Sequence, residues 1–178
     1  MIKTVISAEH FKEVESAPRG RYFVRVFPKT VDGLTYAVEF NVAEVGDMDD
    51  LRAQALDKAK SFALSAIERY DTSDNVNSFI VNGESTWLDK ATRVGLVNSL
   101  ATEKAAGKET STLYLNGEPI TASITTLESV LSQVELYAID CYRQTEAHKA
   151  SVRAMTDYFA VDEYDYTTGY PEKLEFTL

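Results

Sequence analysis

TTLESVLSQVELYAIDCYRQTEAHKASVRAM, residues 125–155, decides how the rest of the chain is read. Apolar residues recur in it at helical spacing: Leu127, Val130, Leu131, Val134, Tyr137, Ala138, Cys141, Val152 and Met155. Glu135, Asp140, Arg143, Lys149 and Arg153 fall largely off that stripe, and no Gly or Pro interrupts it. The pattern predicts one long helix, over about 125–156, with Thr125 and Glu128 as a capping box at its start. At ~1.5 Å per residue such a helix is about 46 Å long, against a radius of gyration of roughly 16 Å for a compact chain of this size. Leu127, Val134, Cys141, His148 and Met155 stand seven apart, a seam that serves either the chain's own core or a coiled coil between copies. These five are the candidate interface residues, and Leu131 and Val134 are expected in the core.

Upstream, the same logic repeats on a smaller scale. Phe79-Ile80-Val81-Asn82-Gly83-Glu84 and Leu113-Tyr114-Leu115-Asn116-Gly117-Glu118 each read as a hairpin around Asn-Gly, the pair that a type I′ turn requires. The first leads into a helix from about Asp89 to Ala106, closed by Gly107. The second leads into the long helix. The offset between the two units is 34 residues, and Leu96, Val97 and Leu100 fall opposite Val130, Leu131 and Val134. Two duplicated hairpin-plus-helix units, or two common turns in step, account equally for the match. Pro119 places its strand at an edge.

Toward the N-terminus the period is two. Tyr22, Val24 and Val26, then Tyr36, Val38, Phe40 and Val42, predict a hairpin across the turn at 28–33. A short helix from Ser7 through Val14 precedes it. A helix from Asp47 to about Tyr70 follows, with Met48, Leu51, Ala55, Ala59, Phe62, Ala66 and Tyr70 on one face. The polar run DTSDNVN, 71–77, reads as a linker, dividing the chain into 1–76 and 77–178. The fold class is therefore α+β, with antiparallel hairpins each followed by a helix. The tail, 157–178, is acidic and aromatic. Its Tyr158, Tyr164, Tyr166 and Tyr170 form either core or a ring-lined surface able to stack on sugars, and Leu174 and Phe176 are expected to pack back on the body.

The 178 residues carry 28 acids against 18 bases, for a net charge of −10. That balance argues against nucleic acid and anionic membrane as partners. The start, MIKTVISAEHFKEVE, lacks the apolar segment of a signal peptide. No run approaches the ~18 apolar residues of a membrane helix. A single Cys excludes an internal disulfide. Cys141 and His148, seven apart on a helix, lie roughly 10 Å from one another, too far to share a metal. Asp162, Glu163 and Asp165 lack the Gly and terminal Glu of a calcium loop. With no nucleophile motif and no phosphate loop, neither catalysis nor a cofactor or metal is expected.

Three stretches, SFIVNGESTWLDKATRVGLVNSL, VELYAIDCYRQTEAHKASV and YDYTTGYPEKLEF, carry a resemblance over residues 78–176. Trp87 through Arg93, Glu135 through Ala138, Cys141-Tyr142, Ala147 through Ala150, Tyr164 through Tyr166 and Gly169 through Leu174 match it. Together they resemble a domain-of-unknown-function family of bacteriophages and prophages, notably of gut Bacteroides-type bacteria, associated with tail, tail-fibre and tail-assembly genes. The resemblance brings no catalytic residue. It implies a structural or adaptor component of the virion, made in the bacterial cytoplasm, assembling with other phage structural proteins and forming a homo-oligomer. A tail-assembly chaperone that is not retained in the particle, or a carbohydrate-binding module, are the alternatives.

Overall fold

The structure, a computed structural model, describes residues 3–6, 22–26, 30–31, 34–35, 38–42 and 48–178. Of the first five strands, and of residues 48–52, 55, 158 and 159, it describes the backbone alone. The expected helix from Ser7 to Val14 lies outside the described residues, as does most of the 28–33 turn. The architecture is α+β, as the sequence predicts, and divides into two compact units that are not consecutive stretches of chain. One takes Met1–Ile67 with Ala147–Tyr166, the other Glu68–Glu146 with Thr167–Leu178.

In the first unit, β1 (Lys3–Ile6), β2 (Tyr22–Val26) and β5 (Val38–Val42) form a sheet in the order β1-β2-β5. The expected antiparallel pairing is present, with Val24 opposite Phe40. Between β2 and β5, β3 (Thr30–Val31) and β4 (Leu34–Thr35) make a small antiparallel pair. β1 runs parallel to β2 and has no counterpart in the sequence reading. The helix α1 (Met48–Asp71) begins here and buries Ala59, Ala63, Ala66 and Ile67, an i, i+4, i+7 stripe.

The second unit is built from the two hairpins. β6 (Phe79–Val81) pairs with β7 (Glu84–Thr86), and β8 (Thr110–Leu115) with β9 (Glu118–Ser123). Both turns are left-handed at both central residues: Asn82 and Gly83 have φ of 52° and 86°, Asn116 and Gly117 52° and 89°. That is the type I′ signature. The tail returns as β10 (Glu175–Phe176), parallel to β6, so the sheet order is β10-β6-β7. Leu174 and Phe176 pack as expected against Phe79, Val81 and Val134.

After the first hairpin comes α2 (Lys90–Ala105). Asp89 caps it by accepting from the Thr92 N–H at 2.8 Å. Its far end is a Schellman motif: the Lys108 N–H donates to Glu103 O, the Gly107 N–H to Lys104 O, and Gly107 has φ of 81°. After the second hairpin comes the long helix α3 (Ile124–Ala154), of 31 residues. Its cap differs from the sequence expectation. Ser123, not Thr125, receives the Thr126 N–H, at 3.1 Å, while Glu128 reaches Lys104 of α2 instead. The reason is the hairpin ladder: Ile124 still donates to Glu109 O, so the helix starts directly from the last rung of β9.

Segment 71–77 is not a solvated linker between 1–76 and 77–178. Its turns are closed by bonds from Val76 and Asn77 to Ser73 O, and Val76 is fully buried in the second unit with Tyr137 and Cys141. One buried valine in a polar run is enough to dock it. Leu131, 2% exposed, sits in a cluster with Leu100, Leu113, Ile124 and Leu127. Truncating it to Ala should cost about 2–5 kcal/mol. Urea unfolding of Leu131→Ala checks this, and a loss under about 0.5 kcal/mol would mean that face of α3 is solvated.

Candidate functional site: an apolar groove between two helices

A concave, largely apolar surface in the second unit lies between α2 and α3. Val94, Val97, Leu131 and Leu136 line it, with Arg93 and Glu135 at one end. Leu131 is floor. Val94, Val97 and Leu136 stand 50%, 46% and 62% exposed, and together they present roughly 300 Å² of apolar surface, the size of patch that is often functional.

The groove exists because α2 touches α3 with one narrow stripe. Leu96 and Leu100 pack onto the cluster that holds Leu127 and Leu131. One turn earlier the same stripe carries Arg93, which is buried. Its Nε donates to Glu135 Oε2 at 2.7 Å, its Nη1 donates to Leu88 O, and its guanidinium lies 5.4 Å from the centre of the Trp87 ring. Trp87 in turn meets Phe79 and Tyr137 edge to face. The run Trp87 to Arg93 is therefore a clamp: the ring seats the guanidinium, Leu88 and Glu135 satisfy it, and Asp89 starts the helix that aims it. The Thr92 backbone and side chain hold the Asp89 carboxyl below its ordinary pKa. At the other end of α2 the Lys108 ammonium does the same for Glu103.

Neither end of the groove has a free reactive group. Arg93 and Glu135 are committed to one another. Cys141 is buried, and desolvation raises its thiol pKa, as it raises the phenol of Tyr137 well above the usual range. Tyr137 donates to Val76 O at 2.9 Å. These are groups of a packed interior. Among the described residues no group of three or more His, Cys, Asp or Glu is placed to hold a metal ion, and no helix is long and apolar enough to cross a membrane.

The seam expected at an interface lies inside the chain. Leu127 and Val134 are fully buried, Cys141 and His148 are 2% and 4% exposed, and Met155 is half-buried. Leu127, Val134 and Cys141 each enter a different cluster of the second unit's core, so they are unavailable to a second copy. In the first unit His148 Nδ1 lies 2.7 Å from the Tyr164 hydroxyl. Tyr164, Tyr166 and Tyr170 do not make a ring-lined surface either. Tyr166 is buried, and Tyr164 packs edge to face on His148. Tyr170 packs on Tyr70, with its hydroxyl 3.0 Å from that of Thr145. The side chain of Tyr158 lies outside the described residues. Among the described residues, the large rings that face solvent are Tyr114 of β8 and Tyr142 of α3.

Val94, Val97 and Leu136 were not singled out from sequence. The signal was there in α2: a second stripe, Val94-Val97-Ala101, beside the buried one, on a helix interrupted by Gly95. Nothing lies within 4 Å of a Cβ built on Gly95, so no packing inside the chain requires a residue that costs a helix about 1 kcal/mol relative to Ala. No protein-family model, curated protein or solved structure matches this chain.

Replacing Arg93 by Ala should leave Leu88 O without its donor and Glu135 without its cation. Because Glu135 is 38% exposed, the expected loss is about 1–3 kcal/mol rather than that of a fully buried pair; thermal unfolding of Arg93→Ala against wild type measures it. The Asp89 cap gives a pH signature. A carboxyl with a depressed folded pKa contributes stability above its ordinary value of 3.8, and that contribution is lost as pH falls through the folded value. Asp89→Asn keeps the acceptor but cannot titrate. Its acid unfolding limb below about pH 4, followed by circular dichroism, should be shallower than that of wild type.

Proposed function

We propose that this chain is a structural or adaptor component of a bacteriophage particle, tail or tail-fibre linked, acting by protein–protein assembly and not by catalysis. The observation that carries the assembly reading is the open groove: Val94, Val97 and Leu136 remain in water although the rest of the α2–α3 contact is dry. Burying such a patch against another protein gains about 25 cal/mol per Å² before association costs are met. The phage setting rests on the resemblance. Of its motif residues, Trp87, Leu88, Asp89 and Arg93 hold α2 in place, and Tyr137, Cys141, Tyr170 and Leu174 pack at the core. The particle would then be the protein's destination and the bacterial cytoplasm its place of synthesis, with other phage structural proteins as partners.

The same groove favours one second reading. A tail-assembly chaperone holds an apolar segment of a client until assembly, and a two-helix groove suits an amphipathic helix. Mass spectrometry of purified particles separates the two. A particle component should be found in stoichiometric amount with the tail proteins. Presence in the producing cells with absence from purified particles would replace the particle reading by the chaperone.

A further inference from the structure

α2 has an outer face without charge. From Ala91 to Thr102 the helix points Val94, Gly95, Val97, Asn98 and Ala101 into solvent, and the exposed positions in that span carry no charge. Exposed helical faces ordinarily carry charge, and one residue in four of this chain is charged. The groove with Leu136 is one flank of that face. Two observations say what covers it.

The first is charge. The chain carries −10, so two copies repel wherever their acidic surfaces meet. A two-fold interface sets each residue near the axis against its own counterpart, so any unpaired charge there meets its like. Between Asp89 and Glu103 there is no acid; of the two basic residues, Lys90 opens α2 just outside the Ala91–Thr102 span, and Arg93 is buried and paired with Glu135. This face can lie on itself without a like-charge clash. Antiparallel packing would also set the acidic cap of one α2, Asp89, near the basic last turn of the other, Lys104.

The second is area. A two-helix face about 24 Å long and about 20 Å wide presents a little under about 500 Å² per copy. Two copies bury at most about 1,000 Å², the lower edge of a specific interface and well short of an obligate one. Among the described residues none lies within 4 Å of a Cβ built on Gly95 beyond its own helix, which leaves room for a second backbone to approach.

We infer that the outer face of α2, with Leu136 of α3, is a two-fold interface between two copies of this chain. The inference rests on the assembly reading and names its first partner as a second copy. The pairing is reversible, with a Kd in the micromolar range.

Sedimentation equilibrium of the full chain, over about 1–500 µM, tests it. The wild type should move from its 19.8 kDa monomer to a dimer and no further. Val97→Glu alters an exposed side chain, so its circular dichroism should match wild type, and its dimerisation should weaken about 100-fold. Val94→Glu should do the same if Val97→Glu misfolds. Gln133→Glu, the same added charge at another exposed position of α3, should change association less than about three-fold. A wild type that stays monomeric, a dimer indifferent to both valine substitutions, or a trimer or larger ring overturns the inference. The two readings fail separately. A monomer found in purified particles sinks the dimer alone, and a dimer absent from particles sinks the particle reading alone.

Discussion

The apolar stripe of α3 is the surface on which the second unit depends. Hairpins with strands of three and six residues do not stand alone in water. Each here turns one side inward, Phe79 and Val81 from β6, Leu113 and Leu115 from β8, and α3 covers both. Along the helix, Leu127 and Leu131 meet Leu113 and Leu100, Val130 and Val134 meet Phe79 and Val81, and Tyr137 and Cys141 meet Val76. The helix thus visits the second hairpin, the first hairpin and the 71–77 turn in reverse chain order. Removing its stripe would leave three elements with nothing to pack on.

The Asn-Gly turns do more than reverse the chain. Asn116 Nδ2 donates to Ser85 O at 2.8 Å and its Oδ1 accepts from the Thr86 hydroxyl, so the turn of the second hairpin is tied to the outer strand of the first. Asn82 Oδ1 accepts from the Leu178 N–H, which fixes the returning tail beside the first turn. Asn is favoured at that position for its tolerance of positive φ. Here its amide also supplies the tie that a second glycine could not. In both hairpins, 34 residues apart, the Asn reaches out of its own turn to a neighbouring segment.

Much of the fold was legible because its signals were local. Period two, Asn-Gly and Gly107 each specify their own backbone, and α2, α3 and both hairpins follow from them. The parallel partners, β1 with β2 and β10 with β6, were not legible, since a two- or four-residue strand takes its identity from a neighbour far along the chain. The five-residue seam left core and coiled coil open for a related reason. Heptad spacing on a straight helix drifts about 20° per repeat, so Leu127, Val134 and Cys141 need not share one partner, and they enter three different clusters. Sequence periodicity reports that a face is buried; it does not report against what.

The groove went unread for the opposite reason: its signal is what α2 leaves out. Arg93 sits on the helix's buried stripe, so a pattern search scores that side as partly polar and the Val94-Val97-Ala101 side as the apolar one. Only the Trp87 ring, Leu88 O and Glu135 make Arg93 an interior residue. Once the clamp claims the charged side for the core, the apolar side is left facing water. A buried arginine and an exposed valine pair are thus one feature of α2. The energy that holds Arg93 inward fixes the rotation of the helix, and with it the presentation of Val94 and Val97. A helix free to rotate about its axis would bury those valines on α3 and expose the arginine, and the apolar groove would close.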